Sequence, residues 1–229
     1  MSVSSEKIIE LRQRLAEQFP NLRIVSEASL ATERACGPTG LAQVDELLQG
    51  GLPKGAITEL VTEKNSSGSA LFISSLLNYA AQNNQILALI DGQDSFDPAF
   101  FSDETLARLL WVRCKSAAQA LKAADLILRD RNLPLVLLDL QLAPTNQLRK
   151  ISSSIWFRLQ RIVEVSSTIF LVISPQPIVG SAQVRLNLHA RFELDALEKS
   201  TAALLGKLKF EIAHHRLHVS RDERVAEAG

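Results

Sequence analysis

Short apolar segments alternate with longer helical patterns along most of this chain, and this alternation restricts the fold more than any other feature of the sequence. The short segments are apolar at most positions on both faces rather than at every second residue, as in strands that are buried on both faces of a parallel sheet. They cover residues 57–61, 86–91, 109–114, 135–139 and 168–174. We therefore predict an α/β fold whose mostly parallel sheet is covered by helices on both faces.

The segments between and after these strands complete the prediction. Residues 116–129 repeat apolar side chains at helical spacing, and residues 146–165 are predicted to form one long helix. After Pro175 the apolar segments become shorter and more polar. We expect a small antiparallel extension there, formed by residues 190–194, 207–214 and 216–220.

One strand–loop–helix unit has the frame of a phosphate-binding P-loop but lacks its chemistry. A working P-loop has the sequence G-x-x-x-x-G-K-[ST], in which the lysine binds the β- and γ-phosphates and the hydroxyl group binds Mg²⁺. Here Glu63 replaces the first glycine, Ser69 the lysine and Ala70 the hydroxyl residue, while Gly68 is kept. The glutamate also brings negative charge towards a polyanion. We therefore predict a nucleotide-binding fold that has lost its nucleotide.

The composition narrows the classes of function. The 229 residues include 25 basic and 25 acidic side chains, and the resulting formal net charge of 0 argues against a strongly basic nucleic-acid-binding protein. Cys36 and Cys114 lack C-x-x-C spacing, so we predict neither a disulfide framework nor a zinc site. The N-terminus has no apolar signal-peptide core, and no apolar run reaches membrane-spanning length. We expect a cytoplasmic protein without membrane contact.

The N-terminal segment carries an apolar stripe that predicts a contact. Ile8, Leu11, Leu15 and Phe19 recur at helical spacing over residues 5–19, which we call the N-terminal stripe. The stripe either packs on its own domain or docks on a neighbouring protomer or partner. We predict three parts of the chain, with boundaries at 1–38 for this helix and a linker, 39–220 for the core and 221–229 for a polar tail.

The segment that leads into the loop resembles the entry to the RecA ATPase core. Residues 40–60 contain G-L-A-Q-V-D-E-L-L and G-G-L-P-K-G-A-I-T-E-L, similar to the RecA pattern T-G…L-D-x-x-L…G-G-L-P-x-G-x-I-x-E-I. Ser66, Ser67 and Gly68 match the S-S-G of the RecA loop, and residues 90–98 resemble I-D-A-E-H-A-L-D-P. The helix and strand over residues 117–139 are similar to the segment that ends in the Walker B aspartate. The resemblance covers residues 38–195 and implies a RecA-like three-layer core.

The resemblance also locates the positions at which RecA chemistry is lost. The catalytic glutamate of RecA falls on Gln93, whose amide cannot act as a general base. Asp139 keeps the Walker B position, but Ala70 offers no hydroxyl group with which to share a metal ion. Asp91 and Asp139 each end a strand, and without a P-loop lysine we favour turn capping over metal or water positioning. We predict a pseudo-ATPase with no cofactor and with a relic nucleotide site made of Glu63, Lys64, Ser66, Ser67, Gly68, Ser69, Ala70, Gln93 and Asp139.

A RecA-like chain of this size with these losses resembles the ImuA family of accessory factors in DNA-damage-induced (SOS) mutagenesis. That family is linked with an inactive Y-family polymerase homologue and an error-prone replicative-type polymerase. The resemblance implies an adaptor of translesion synthesis that binds RecA, polymerase-type proteins or both. Three alternatives stay open: a weak or unconventional ATPase that uses Lys64 and Asp139, a cell-division inhibitor of the SulA type, and a direct single-stranded DNA binder.

The C-terminal region has a basic bias that permits two interpretations. Its candidate residues are Lys207, Lys209, His214, His215 and Arg216. They either contact DNA or an acidic partner surface, or they form a solvated sheet edge that lysine protects from further pairing. The two adjacent histidines have no third ligand nearby in the sequence, so we predict no metal site.

Overall fold

A mostly parallel β-sheet forms the centre of the described structure. The computed structural model describes residues 36–62, 68–190, 192 and 199–215, all of which belong to one unit with the bounds Ala35–Leu217. The strands are β1 (Cys36–Gly37), β2 (Leu52–Pro53), β3 (Ala56–Val61), β4 (Leu87–Asp91), β5 (Leu109–Arg113), β6 (Leu135–Asp139), β7 (Ile169–Ser174), β8 (Val184–His189) and β9 (Lys209–His215). The helices are α1 (Ala42–Leu47), α2 (Ser69–Gln82), α3 (Asp103–Leu106), α4 (Ala117–Asp130), α5 (Thr145–Leu148), α6 (Ser153–Glu164) and α7 (Thr201–Leu205), with a 3₁₀ turn at Pro98–Phe100.

The main sheet has seven strands among the described residues, in the order β5-β4-β6-β7-β3-β8-β9. Every neighbouring pair is parallel except β8 and β9, which are antiparallel. Parallel neighbours need crossover connections, and along the chain α2, α4 and α6 each connect one strand of the sheet to the next. The fold is therefore α/β, with a RecA-like core and a small antiparallel part, as the sequence predicts.

Alternate residues of each central strand enter two separate cores, which makes the fold three-layered. On β4, Leu87 and Leu89 join a core with α1 and α2, whereas Ala88 and Ile90 join a core with α4 and α6. All four side chains are buried. Because both faces of the strand are covered, its sequence is apolar throughout rather than alternating.

The predicted strands of the central sheet are confirmed with shifts of one residue at their ends, but the predicted long helix over residues 146–165 is wrong. It divides into α5 and α6 at Ser152, whose hydroxyl group accepts a hydrogen bond from the N–H of Ser154 at 3.3 Å. Serine favours such caps over helix interiors because its side chain bonds to nearby backbone groups. The helical spacing of apolar residues continues across this cap, so the spacing alone could not predict the break between α5 and α6.

The end of the sheet also differs from the prediction. Residues 184–189 form β8 beside β3, a strand that the predicted extension over residues 190–194, 207–214 and 216–220 did not include. Val184, Leu186 and Leu188 are buried and alternate with more exposed residues, so the period of two was present in the sequence. Of the predicted strand over residues 190–194, the structure describes Ala190 and Phe192, and neither lies in a strand. The predicted strand at 216–220 and the N-terminal stripe lie outside the described residues.

The predicted N-terminal part over residues 1–38 ends in a short strand. Cys36 and Gly37 form β1, which pairs antiparallel with β2 in a second, two-stranded sheet. In the part of the chain that the structure describes, no helix combines the length and the apolar character that a membrane span requires.

Candidate functional site

The carboxyl ends of the parallel strands bring the predicted aspartates together. Asp91 ends β4, Asp139 ends β6, and the two residues are register partners on neighbouring strands. In open α/β sheets, ligands bind outside this edge. Its geometry therefore decides what the RecA-like positions of this chain can do.

The carboxylate of Asp91 is occupied by the loop that follows it. Its Oδ2 atom accepts a hydrogen bond from the N–H of Phe96 at 2.8 Å and one from the indole Nε1 of Trp111 at 3.4 Å. Its Oδ1 atom accepts bonds from the N–H of Gln93 at 3.3 Å and from the hydroxyl group of Ser95 at 3.4 Å. The side chain thus caps and orients the turn after β4.

Gln93 stands beside this turn with its amide group directed into the protein. Its Nε2 atom is buried and has no hydrogen-bond partner among the described residues. An amide in this position can donate a hydrogen bond, but it cannot take a proton from water.

The carboxyl group of Asp139 has an altered acidity. Burial raises the pKa of Asp139 to about 6, and the negative charge of Asp91 acts in the same direction, while a hydrogen bond from the N–H of Gln141 to Oδ1 opposes the rise. Gln141 also donates from its Nε2 atom to the carbonyl oxygen of Thr62 at 3.1 Å, which ties the end of β6 to the end of β3. The hydroxyl group of Thr62 is buried and unpaired within the described structure.

Apolar side chains pack against Gly68, the residue that precedes α2 at the position where a P-loop would bind phosphate. Gly68 is the last residue before the helix and has φ +95°, a conformation that glycine adopts readily. The side chain of Leu208 occupies the space that a β-carbon on Gly68 would fill, and Ala190 and Phe192 lie close by. Leu208 is only 1% exposed, so its side chain is a buried part of the packing against Gly68.

Of the predicted relic site at the helix start, Ser69 is half-buried and Ala70 is exposed. Ser69 and Ala70 form the first turn of α2. Glu63, Lys64, Ser66 and Ser67 lie outside the described residues. Within the described ranges, no group of histidine, cysteine, aspartate and glutamate side chains has the arrangement of a metal site.

Comparison with known proteins identifies the relatives of this chain. RecA of Clavibacter michiganensis is 31% identical over 105 residues, which cover 44% of this chain and 29% of that protein. RecA of Chlorobaculum tepidum is 26% identical over 121 residues, with coverages of 52% and 32%, and RecA of Bifidobacterium longum is 32% identical over 135 residues, with coverages of 55% and 30%. This chain is a distant relative of RecA. It spans about a third of the length of these curated relatives, and no protein-family model matches it.

The RecA-like core contains a buried charge cluster that the sequence analysis missed. Glu59 is fully buried within β3, and its carboxylate accepts hydrogen bonds from the backbone N–H of Ile178 at 2.7 Å and of Val179 at 3.0 Å. The guanidinium Nε of Arg185 on β8 lies 2.6 Å from the same carboxylate, and the hydroxyl group of Ser174 donates to it at 3.1 Å. The cluster fixes the connection between β7 and β8.

A signal for this cluster was present in the sequence. A glutamate inside an otherwise apolar strand needs a partner, because a buried unpaired charge is strongly unfavourable. The identity of the partner could not be predicted, since Arg185 lies outside every strand that the sequence predicts.

The predicted basic residues at the C-terminus of the RecA-like core do not form one patch. Lys209 and His215 lie on the more exposed face of β9 together with Glu211, whereas His214 points to the less exposed face. Glu211 approaches His189 on the neighbouring strand at 3.8 Å. Lys207 is exposed and precedes the strand, and Arg216 lies outside the described residues. Contact of this region with DNA stays a prediction.

Proposed function

We propose that this RecA-like protein is a non-enzymatic adaptor of DNA-damage-induced translesion synthesis, of the ImuA type. In this proposal its nucleotide site is a relic and it uses no cofactor. Its partners are RecA, polymerase-type proteins or both, and it acts in the cytoplasm.

The observation that carries the proposal is the apolar cover on the start of α2. Phosphate binding at a helix N-terminus requires open backbone N–H groups that an anion can approach. Here Leu208 packs directly on Gly68, with Ala190 and Phe192 nearby. On the side of Gly68 where a β-carbon would stand, a buried leucine thus takes the place of an approaching anion, and we take this as support for a lost nucleotide site beside the missing lysine.

The polar groups at the strand ends support the same proposal. Asp91 already accepts four hydrogen bonds from its own loop and from Trp111. Asp139 has a raised pKa because burial disfavours its charged form, and Ala70 supplies no hydroxyl group that could share a cation with it. Gln93 replaces the residue that would activate water. None of the three is poised for phosphoryl transfer as RecA would perform it.

The adaptor part of the proposal rests on the relationship to RecA and on the N-terminal stripe. RecA-type protomers assemble when an N-terminal element packs on the core of the next protomer, as the resemblance implies. A chain that keeps the core but loses catalysis would retain such a surface for binding. The stripe formed by Ile8, Leu11, Leu15 and Phe19 is the candidate for this contact.

The test is a titration of the full chain with a fluorescent ATP analogue, with and without Mg²⁺. We expect no saturation at nucleotide concentrations up to about 1 mM, which corresponds to a binding free energy weaker than ~4 kcal/mol. RecA of Clavibacter michiganensis serves as the positive control for the analogue.

Saturation at micromolar concentration would overturn the pseudo-ATPase proposal. Binding that requires Mg²⁺ and disappears in Asp139→Ala would then favour the weak ATPase. Pull-down with purified RecA and with polymerase-type proteins tests the adaptor role separately, and failure to capture either class would contradict it.

A further inference from the structure

An apolar groove lies on the side of the core that α4 and α6 cover. It has a volume of about 390 Å³. Leu121 on α4 and Ile151 and Ile155 beside α6 contribute the main apolar side chains of its lining. We call this feature the α4–α6 groove.

The walls of the groove are held in place by the fold. The side-chain oxygen of Gln147 on α5 accepts a hydrogen bond from the backbone N–H of Ala117, the first residue of α4, at 3.0 Å. Below the groove, Leu121 belongs to the same buried core as Trp156 and Leu159 of α6. A partner would therefore meet a preformed surface and would not have to order it.

The rim of the groove is basic on both sides. Lys122 stands on the α4 wall, while Lys150 and Arg158 stand on the opposite wall, and all three are exposed. Arg158 lies 3.1 Å from Asp125, a carboxylate that also binds Arg129 at 2.8 Å. No carboxylate lines the groove, and within the described ranges neither lysine forms an ion pair.

We infer that the α4–α6 groove binds an acidic, amphipathic segment of a partner protein, which inserts two or three apolar side chains between α4 and α6 and places carboxylates near Lys122 and Lys150. Helices form both walls, so the groove offers no strand edge for β-addition. Recognition through apolar anchors of a helical segment suits this geometry. The inference rests on the proposed adaptor function, because it names the chemistry of the partner.

Two other classes of ligand fit the groove less well. Nucleic-acid phosphates would use the lysines but would leave the apolar floor uncovered. A membrane surface requires apolar side chains that protrude, whereas Ala117 and Leu121 are 2% and 6% exposed at the floor. The concave shape and the basic rim together favour an acidic peptide.

The experiment measures fluorescence anisotropy of labelled synthetic peptides with the full chain. The panel consists of 14-residue peptides with leucine, isoleucine, phenylalanine or tryptophan at positions i, i+4 and i+7 and with glutamate or aspartate elsewhere, a pattern that presents one apolar face on a helix. A matched panel carries lysine in place of every acidic residue. We expect at least one acidic peptide to bind with a Kd of about 10–100 μM, and no lysine peptide to bind.

Variants assign the binding to the groove. Ile151→Asp is expected to abolish it, and Lys122→Glu/Lys150→Glu to weaken it at least about tenfold. Lys207→Glu/Lys209→Glu makes the same change in net charge on exposed residues away from the groove and should leave the affinity within about twofold. Thermal unfolding verifies that each variant is folded, and if Ile151→Asp is not, Ile155→Ser replaces it.

Several outcomes would overturn the inference. They are no binding by any acidic peptide, equal binding of the acidic and lysine panels, and binding that responds to the Lys207 and Lys209 changes but not to the groove variants. Binding to vesicles with anionic lipid that Ile151→Asp removes, without peptide binding, would assign the groove to a membrane. Peptide binding that appears only in Leu11→Asp/Leu15→Asp would assign it to the N-terminal stripe of the chain itself.

The outcome is independent of the nucleotide titration. Peptide binding together with ATP binding would keep the groove and reject the pseudo-ATPase. Absence of both would reject the groove and leave the pseudo-ATPase standing.

Discussion

Asp91 and Asp139 are partners at the ends of two neighbouring parallel strands, and one of them holds its proton unusually well. Asp91 is bonded to its own loop, and its negative charge adds to the effect of burial on Asp139. The pair thus puts a carboxyl group with a pKa of about 6 at the edge of the sheet where RecA-like chemistry would take place.

This raised pKa predicts that the protein loses stability as the pH rises. Asp139 binds a proton more tightly in the folded protein than in the unfolded chain, where an aspartate has a pKa of about 3.9, so its contribution is fully present below about pH 4 and is lost as the pH rises through about 6. Asp139→Asn keeps an acceptor for the N–H of Gln141 without the charge. We expect it to raise the free energy of unfolding at about pH 7.5 by ~1–3 kcal/mol and to have little effect at about pH 4.

Urea unfolding at both pH values measures this effect. Asp130→Asn, which removes an exposed carboxylate at the end of α4, is the control and should not share the pH dependence. Equal pH profiles for Asp139→Asn and the unchanged protein would show that the Asp139 carboxyl group titrates normally.

The Glu59–Arg185 pair predicts a large and non-additive loss of stability. Arg185→Ala leaves the buried Glu59 carboxylate with two backbone N–H groups and the Ser174 hydroxyl but no cation. We expect a loss of ~3–5 kcal/mol in the free energy of unfolding. Glu59→Gln/Arg185→Met should recover at least ~1 kcal/mol relative to Arg185→Ala, because no charge then remains buried.

Chemical unfolding of the single and double variants measures this coupling. The exposed pair of Arg113 and Asp94, at 2.6 Å, offers a matched control. Arg113→Ala should have little effect on the free energy of unfolding, because solvent screens an exposed ion pair. Similar losses at the two sites would contradict the assigned role of burial.

The contact of Leu208 with Gly68 predicts coupled effects of substitution. Gly68→Ala should destabilise the fold by ~2–4 kcal/mol, because alanine tolerates a φ of +95° poorly and its β-carbon would collide with Leu208. Leu208→Ala should cost ~2–5 kcal/mol through the cavity that it leaves. The double variant should lose at least ~1 kcal/mol less than the sum, since each change relieves the other.

A double-mutant cycle in denaturant measures this interaction. Gly180→Ala is the control, because nothing lies within 4 Å of the β-carbon it would add. Additive losses in the cycle would mean that Leu208 does not press on the start of α2.

The N-terminal stripe predicts a contact that is needed for partner binding but not for folding. Leu11→Asp/Leu15→Asp should abolish capture of RecA or of a polymerase-type protein in a pull-down, because the charges interrupt the apolar stripe. Leu126→Asp/Leu142→Asp changes two apolar residues that are 70% and 50% exposed and provides the control. Capture that survives in a folded stripe variant would exclude this contact.

Much of the fold could be predicted because the apolar composition of each strand segment indicates by itself that the strand is buried. A segment such as residues 135–139 is apolar on both faces, which predicts a strand of a parallel sheet with helices packed on each face. Boundaries set by a single polar group were harder to predict. Ser152 caps α6 and so separates two helices across which the apolar period continues. The strand β8 was missed because polar residues alternate with Val184, Leu186 and Leu188, unlike the mostly apolar central strands.

The candidate site was predictable in its chemistry and not in its contacts. The identities of Ser69, Ala70 and Gln93 predict directly which groups needed for RecA-type chemistry this chain lacks. The apolar cover on Gly68 depends on where the chain returns after β8, and Leu208 is far away in the sequence. Likewise, Glu59 signals a buried charge, but only the sheet order places Arg185 beside it.

The packing of Leu208 on Gly68 bears on whether the proposed loss of nucleotide binding could be reversed. If only the lysine and the hydroxyl residue were missing, Ser69→Lys and Ala70→Thr would suffice to rebuild the site. Here Leu208 leads into β9, whose Phe210 ring lies 5.4 Å from that of Phe72 on α2. Clearing the helix start would therefore loosen the edge strand of the sheet as well, so nucleotide and the C-terminal strand would compete for one surface.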